Sequence, residues 1–72
     1  MKVQDMATES ALRLLLTVDE VAERLGLGRT KVYELLGRGE IASVRIGTAR
    51  RVPASALEAY VERLLREQSE SA

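Results

Sequence analysis

Apolar and polar positions change their period along the chain, and each change marks an element. Val18, Val21, Ala22 and Leu25 recur at i, i+3, i+4 and i+7, the spacing of one buried helix face. Thr17 followed by Glu20 has the form of a capping box, and Leu16 with Val21 has the placement of a hydrophobic staple. Gly26 stands where such a helix is closed by a residue of positive φ. Leu27 is expected to follow as an apolar plug, and Gly28 to cap a second helix over about residues 29–36, ending near Gly37 and Gly39. At about 100° per residue, Val32, Leu35 and Leu36 cluster on one side of that helix. Thr30, Tyr33, Glu34 and Gly37 are left on the other, flanked by Arg29, Lys31 and Arg38. Two short helices joined through Gly26-Leu27-Gly28 make a helix-turn-helix.

Beyond Gly39 the period falls to two. Ala42, Val44 and Ile46 alternate with Ser43, Arg45 and Gly47, which predicts a strand. Gly47-Thr48-Ala49 can turn the chain and Arg50-Arg51-Val52 return it, giving a hairpin with Arg45, Arg50 and Arg51 close to its tip. Pro53 ends the returning strand, since it has no amide hydrogen for a ladder and suits a helix start. Leu57, Tyr60, Val61, Leu64 and Leu65 then predict an amphipathic helix over about residues 54–66. Its apolar face reads as core, with a self-association seam along its outer edge as the alternative. Residues 1–13 show no period and read as a flexible extension, residues 14–66 as one domain, and residues 67–72 as a frayed tail. The fold class is α+β, mostly α: two short N-terminal helices, a two-stranded β-hairpin wing and a C-terminal helix.

Length and composition narrow what such a domain can do. With 72 residues there is room for one core. Nine of the apolar residues are Ala, so burial falls on Leu, Val, Ile, Met and Tyr. A cavity that encloses a substrate is not expected. The chain has no Cys, which excludes disulfides, thiolate zinc sites and a cysteine nucleophile, and no His, the commonest general base. A non-enzyme without metal or cofactor is therefore expected. The longest strictly apolar run is Leu14-Leu15-Leu16, against about 20 residues for a membrane span, and residues 1–5 contain no apolar leader core. A soluble cytoplasmic protein follows, with neither membrane nor small molecule as partner.

Eleven basic residues balance eleven acidic ones, but unevenly. Residues 1–23 carry a net −3, residues 24–52 a net +5 and residues 53–72 a net −2. The local field is what an anionic polymer meets, so neutrality in sum does not exclude one. Nine of the basic residues are Arg, whose planar donor fork matches phosphate and guanine edges. The same bias also follows from a GC-rich genome.

From Leu15 to Leu65 the chain resembles the small winged helix-turn-helix domains of the excisionase family, related to the DNA-binding heads of MerR-type regulators. Leu16-Thr17-Val18-Asp19-Glu20-Val21-Ala22 opens the first helix, and Leu25-Gly26-Leu27-Gly28-Arg29-Thr30-Lys31-Val32-Tyr33 runs through the turn. Gly39-Glu40-Ile41, the basic Val44-Arg45-Ile46-Gly47, and Val52-Pro53 before Leu57 follow in order. The family usually has Ser at the position of Gly28, a difference that weakens the cap and removes a candidate phosphate contact. The resemblance implies a protein that binds double-stranded DNA at a defined site, bacterial and nucleoid-associated when bound. Some members assist an integrase in excising a mobile element by bending and bridging DNA, bind adjacent sites cooperatively and touch the integrase. Others are transcriptional regulators, the alternative on the same fold. A protein-interaction module that uses the acidic flanks is the alternative of another class.

In a DNA-binding reading the second helix enters the major groove. Arg29 and Thr30 are then placed for base edges, with Arg29 the leading guanine reader, while Lys31 and Arg38 reach backbone phosphate. Tyr33 can donate to phosphate or pack on a thymine methyl, or else form a half-buried ring over the junction with the hairpin. Glu34 can accept from a cytosine amino group, or else pair with Arg38 at i+4. On the wing, Arg45, Thr48, Arg50 and Arg51 are candidates for the adjacent minor groove, or else a solvated hairpin. Arg24 and the set Glu58, Glu62 and Arg66 read as solvated.

Overall fold

Thr17 starts the helical part of the chain with both halves of a capping box. Its hydroxyl accepts from the Glu20 amide at 3.1 Å, and its own amide donates to the Glu20 carboxylate at 2.8 Å. Helix α1 (Val18–Leu25) follows. The Thr17 amide holds the Glu20 carboxyl below its ordinary value of 4.5; partial burial opposes this, and Arg13, the Thr17 hydroxyl and Arg24 reinforce it. Arg13 also pairs with Glu20 directly, at 3.1 Å. At its other end α1 is closed by Gly26 at φ 70°, and the Leu27 amide donates to the Ala22 carbonyl at 2.9 Å. Helix α2 (Arg29–Gly37) begins after Gly28, whose extended backbone fits an N-cap but offers no side chain to the first turn. It closes in the same manner. Gly39 adopts φ 75°, and the Gly39 and Glu40 amides donate to the Leu36 and Leu35 carbonyls. Both closures put glycine at the left-handed position that other residues adopt at a cost.

The computed structural model describes residues 13–71, and the chain returns from α2 through an antiparallel sheet. Strands β2 (Val44–Ile46) and β3 (Ala49–Pro53) form the expected hairpin, with Val44 opposite Arg51, Arg45 opposite Arg50, and Ile46 opposite Ala49. The turn is Gly47-Thr48 alone, tighter than expected, because Ala49 already pairs in β3. Gly47 at φ 62° supplies the one positive φ that a type II′ turn requires. The sheet has a third strand that was not expected: β1 (Leu15–Leu16) lies on the other side of β3, with Leu15 opposite Pro53 and Leu16 opposite Val52.

Leu16, Val21, Val32, Ile41 and Val52 are less than 2% exposed and form the centre of the core, joined by Leu35, Leu36, Leu57 and Tyr60. Burial of each such aliphatic side chain contributes about 1.5–3 kcal/mol. Leu27 departs from expectation. It is 40% exposed, since the left-handed Gly26 swings it outward while Leu25 packs against the core instead.

Helix α3 (Ala54–Ser71) runs beyond the expected end at Arg66. Leu57 and Tyr60 are buried, but Val61 and Leu65, expected in the core, are exposed. The core beneath α3 is narrower than its apolar stripe. Arg63 fastens this helix to the loop after α2: its guanidinium donates to the Glu40 carbonyl at 2.9 Å and lies 5.6 Å from the centre of the Tyr60 ring. Of the extension expected over residues 1–13, all but Arg13 lies outside the described residues.

Candidate nucleic-acid interface

The different lengths of the strands create the site. β1 ends opposite Val52, so the β3 edge from Ala49 to Arg51 has no strand on that side. This open edge faces the start of α1 and the first turns of α2. Between them runs an open groove, lined by Thr17–Asp19 on one side, Arg29 and Tyr33 on α2, and Thr48–Arg51 on the hairpin. Arg29 and Tyr33 are one helical turn apart and therefore share the flank of α2 that borders the hairpin.

The other α2 residues distribute around the exposed half of the helix. Val32, Leu35 and Leu36 face the core, which turns Thr30 and Glu34 directly outward and sets Lys31 and Arg38 on the flank away from the wing. All five of Arg29, Thr30, Lys31, Glu34 and Arg38 are exposed, and Tyr33 is 47% exposed. Tyr33 thus borders the hairpin junction without being sealed in it. Glu34 pairs with Lys31 at 3.5 Å, and Arg38 with Glu40 at 3.7 Å, in place of the expected Glu34–Arg38 pair. The turn after α2 puts Glu40 within reach of Arg38.

On the wing the strand alternation divides the arginines. Val52 points into the core, so Arg50 and its cross-strand partner Arg45 share that side of the ribbon, while Arg51 lies on the opposite face with Val44. Arg50 is half-buried, and its Nε donates to the Ser43 hydroxyl at 3.1 Å. Arg51 is also half-buried and donates to the Arg50 carbonyl at 2.9 Å. Arg45 and Thr48 are exposed. The groove thus gathers Arg29, Tyr33, Thr48, Arg50 and Arg51, while Arg45, Lys31 and Arg38 lie outside it.

Two residues shape this surface that the sequence reading passed over. Asp19 holds the Arg29 guanidinium at 2.9 Å, with both side chains largely in solvent. Any anionic ligand of Arg29 competes with that carboxylate. Ser43, the residue just before β2, accepts from Arg50 and sets the direction of its side chain. Neither carries a sequence signal, since both contacts join residues that only the folded chain brings together. The described residues hold no cluster of three or more acidic, His or Cys groups able to bind a metal, and no helix long and apolar enough to cross a membrane.

Fold and groove together define a small helix-turn-helix protein with a β-hairpin wing. Residues 15–64 match the family described as "Helix-turn-helix domain". A "Probable excisionase" of Saccharopolyspora erythraea is 58% identical over 57 residues, which cover 79% of this chain and 58% of that protein. An "Excisionase" of Streptomyces ambofaciens is 48% identical over 48 residues, 67% of this chain and 77% of that protein. The chain belongs to the excisionase family of helix-turn-helix proteins. It spans a little over half the length of the Saccharopolyspora relative. No solved structure matches it.

Proposed function

We propose that the chain binds double-stranded DNA at a defined site and serves as an excisionase, an accessory factor that assists a cognate integrase in releasing a mobile element. The observation that carries this reading is the groove in which the start of α2 and the wing present Arg29, Arg50 and Arg51 together. The helix-turn-helix is a build that places the start of its second helix in the major groove. Arg29 and Thr30 then meet base edges, Tyr33 and the Lys31 and Arg38 flank meet phosphate, and Glu34 faces the groove floor. Arg45, Thr48, Arg50 and Arg51 reach the adjacent minor groove or its phosphates. Asp19 releases Arg29 on binding, an exchange of one exposed ion pair for a charge-assisted contact. The protein acts by binding and not by catalysis.

The family relatives favour excision over transcriptional control. An integrase and a second protomer on the DNA are the partners this role calls for, and the exposed Val61 and Leu65 of α3, which do not line the groove, remain available to a protein neighbour. Nuclease footprinting across the DNA flanking the gene tests the reading. Protection of one or more discrete sites in excess nonspecific competitor is expected. Uniform weak protection that the competitor abolishes contradicts it.

A further inference from the structure

Ile46 occupies an unusual place for an aliphatic side chain. It is 59% exposed, in the last residue pair before the Gly47-Thr48 turn, at the extremity of the wing. Val44, two residues back on the same face, is 40% exposed. The register puts Arg51 across from Val44, and Arg45 and Arg50 project from the other side of the same ribbon. The wing tip is therefore a short apolar ridge with Arg51 beside it on its own face and Arg45 and Arg50 on the reverse face of the ribbon.

That combination selects its partner. Closing the ridge against an apolar protein surface strips water from Arg51 without supplying counter-charge, which is costly, and leaves Arg45 and Arg50 on the reverse face without an anionic partner from that surface. A duplex satisfies both parts at once, because phosphates take the guanidinium groups while deoxyribose and base edges accept apolar atoms. The minor groove of B-form DNA is about 6 Å wide, too narrow for a two-stranded ribbon with side chains unless it opens.

We propose that Ile46, backed by Val44, is an apolar wedge that the wing sets into the minor groove, opening a base step and bending the duplex. The proposal rests on the DNA-binding reading above and adds a residue and a mechanism to it. Proteins that insert such wedges kink DNA by about 20–90°. Flexible pyrimidine–purine steps open most easily, so one is expected beneath the wing in the bound site.

Ile46 contributes nothing to the core, so its substitution leaves the fold intact. Ile46→Thr keeps β-branching and removes the apolar end; Ile46→Leu keeps the apolar character. The test measures affinity, salt dependence and bend angle on circularly permuted fragments carrying the footprinted site, for the native chain and both variants. Ile46→Thr is expected to bind about 5- to 30-fold more weakly, the loss of one apolar contact, with a reduced bend and an unchanged salt slope. Ile46→Leu is expected to keep the native bend. A native bend in Ile46→Thr, with binding retained, overturns the wedge alone. Failure of the native chain to bind any duplex overturns the wedge and the DNA-binding reading together.

Discussion

Glu20 couples the start of α1 to pH. Its carboxylate accepts from the Thr17 amide and pairs with Arg13, and these contacts keep its pKa below 4.5. A group whose folded pKa is depressed contributes stability that is complete above the unfolded value and lost as pH falls through the folded one. Urea denaturation of the native chain is therefore expected to show falling stability as pH drops below about 4.5. Glu20→Gln is expected to be less stable near neutrality, with the difference from native shrinking as the medium is acidified. Parallel pH profiles for the two proteins contradict this. Thr17 and Glu20 were legible because a capping box is a fixed local spacing. The Asp19–Arg29, Ser43–Arg50 and Glu40–Arg63 contacts were not, since each joins separate elements.

At the scale of elements, β1 is the instructive case. Periodicity located α1, α2, the hairpin and the start of α3, because each repeats its pattern over several residues. A strand of two residues has no period to read. Leu15 and Leu16 instead belong to a three-leucine run, in which Leu16 was expected only as the hydrophobic staple of α1. Yet Leu16 is fully buried and pairs with Val52, so this strand ties the entry of the domain to its central strand. Leu16→Ala is expected to destabilise the fold by about 2–5 kcal/mol in equilibrium urea denaturation, the range for truncating a buried Leu. A loss below about 1 kcal/mol contradicts a core role for β1. The opposite error occurred in α3, where the stripe Leu57 to Leu65 has the right period but outruns the core, leaving Val61 and Leu65 in solvent. Period reports which residues share a face, and tertiary packing decides how much of that face is covered.

For the whole molecule, three of the seven basic residues of 24–52, Arg29, Arg50 and Arg51, come to line one groove where β1 stops short and leaves the edge of β3 open towards α2. The sequence placed arginines on the wing, but not their division between its two faces. It left Tyr33 undecided as well, and the structure puts that ring at the border between α2 and the hairpin. Most of the candidate interface was therefore legible as residue types on elements, while the groove that unites five of those residues depends on strand lengths. If α2 and the wing act as one cationic surface on a duplex, the salt dependence of DNA affinity reads it out for the native chain, Arg29→Ala and Arg50→Ala/Arg51→Ala. With five to seven phosphate contacts, log K for the native chain is expected to fall against log salt with a slope of about −4.5 to −6. The double wing variant is expected to weaken binding to all duplexes and flatten that slope by about 2 units, while Arg29→Ala loses affinity on the matched duplex and little on a mismatched one. A native slope near zero, or a slope and affinity untouched by removal of both wing arginines, contradicts that joint action.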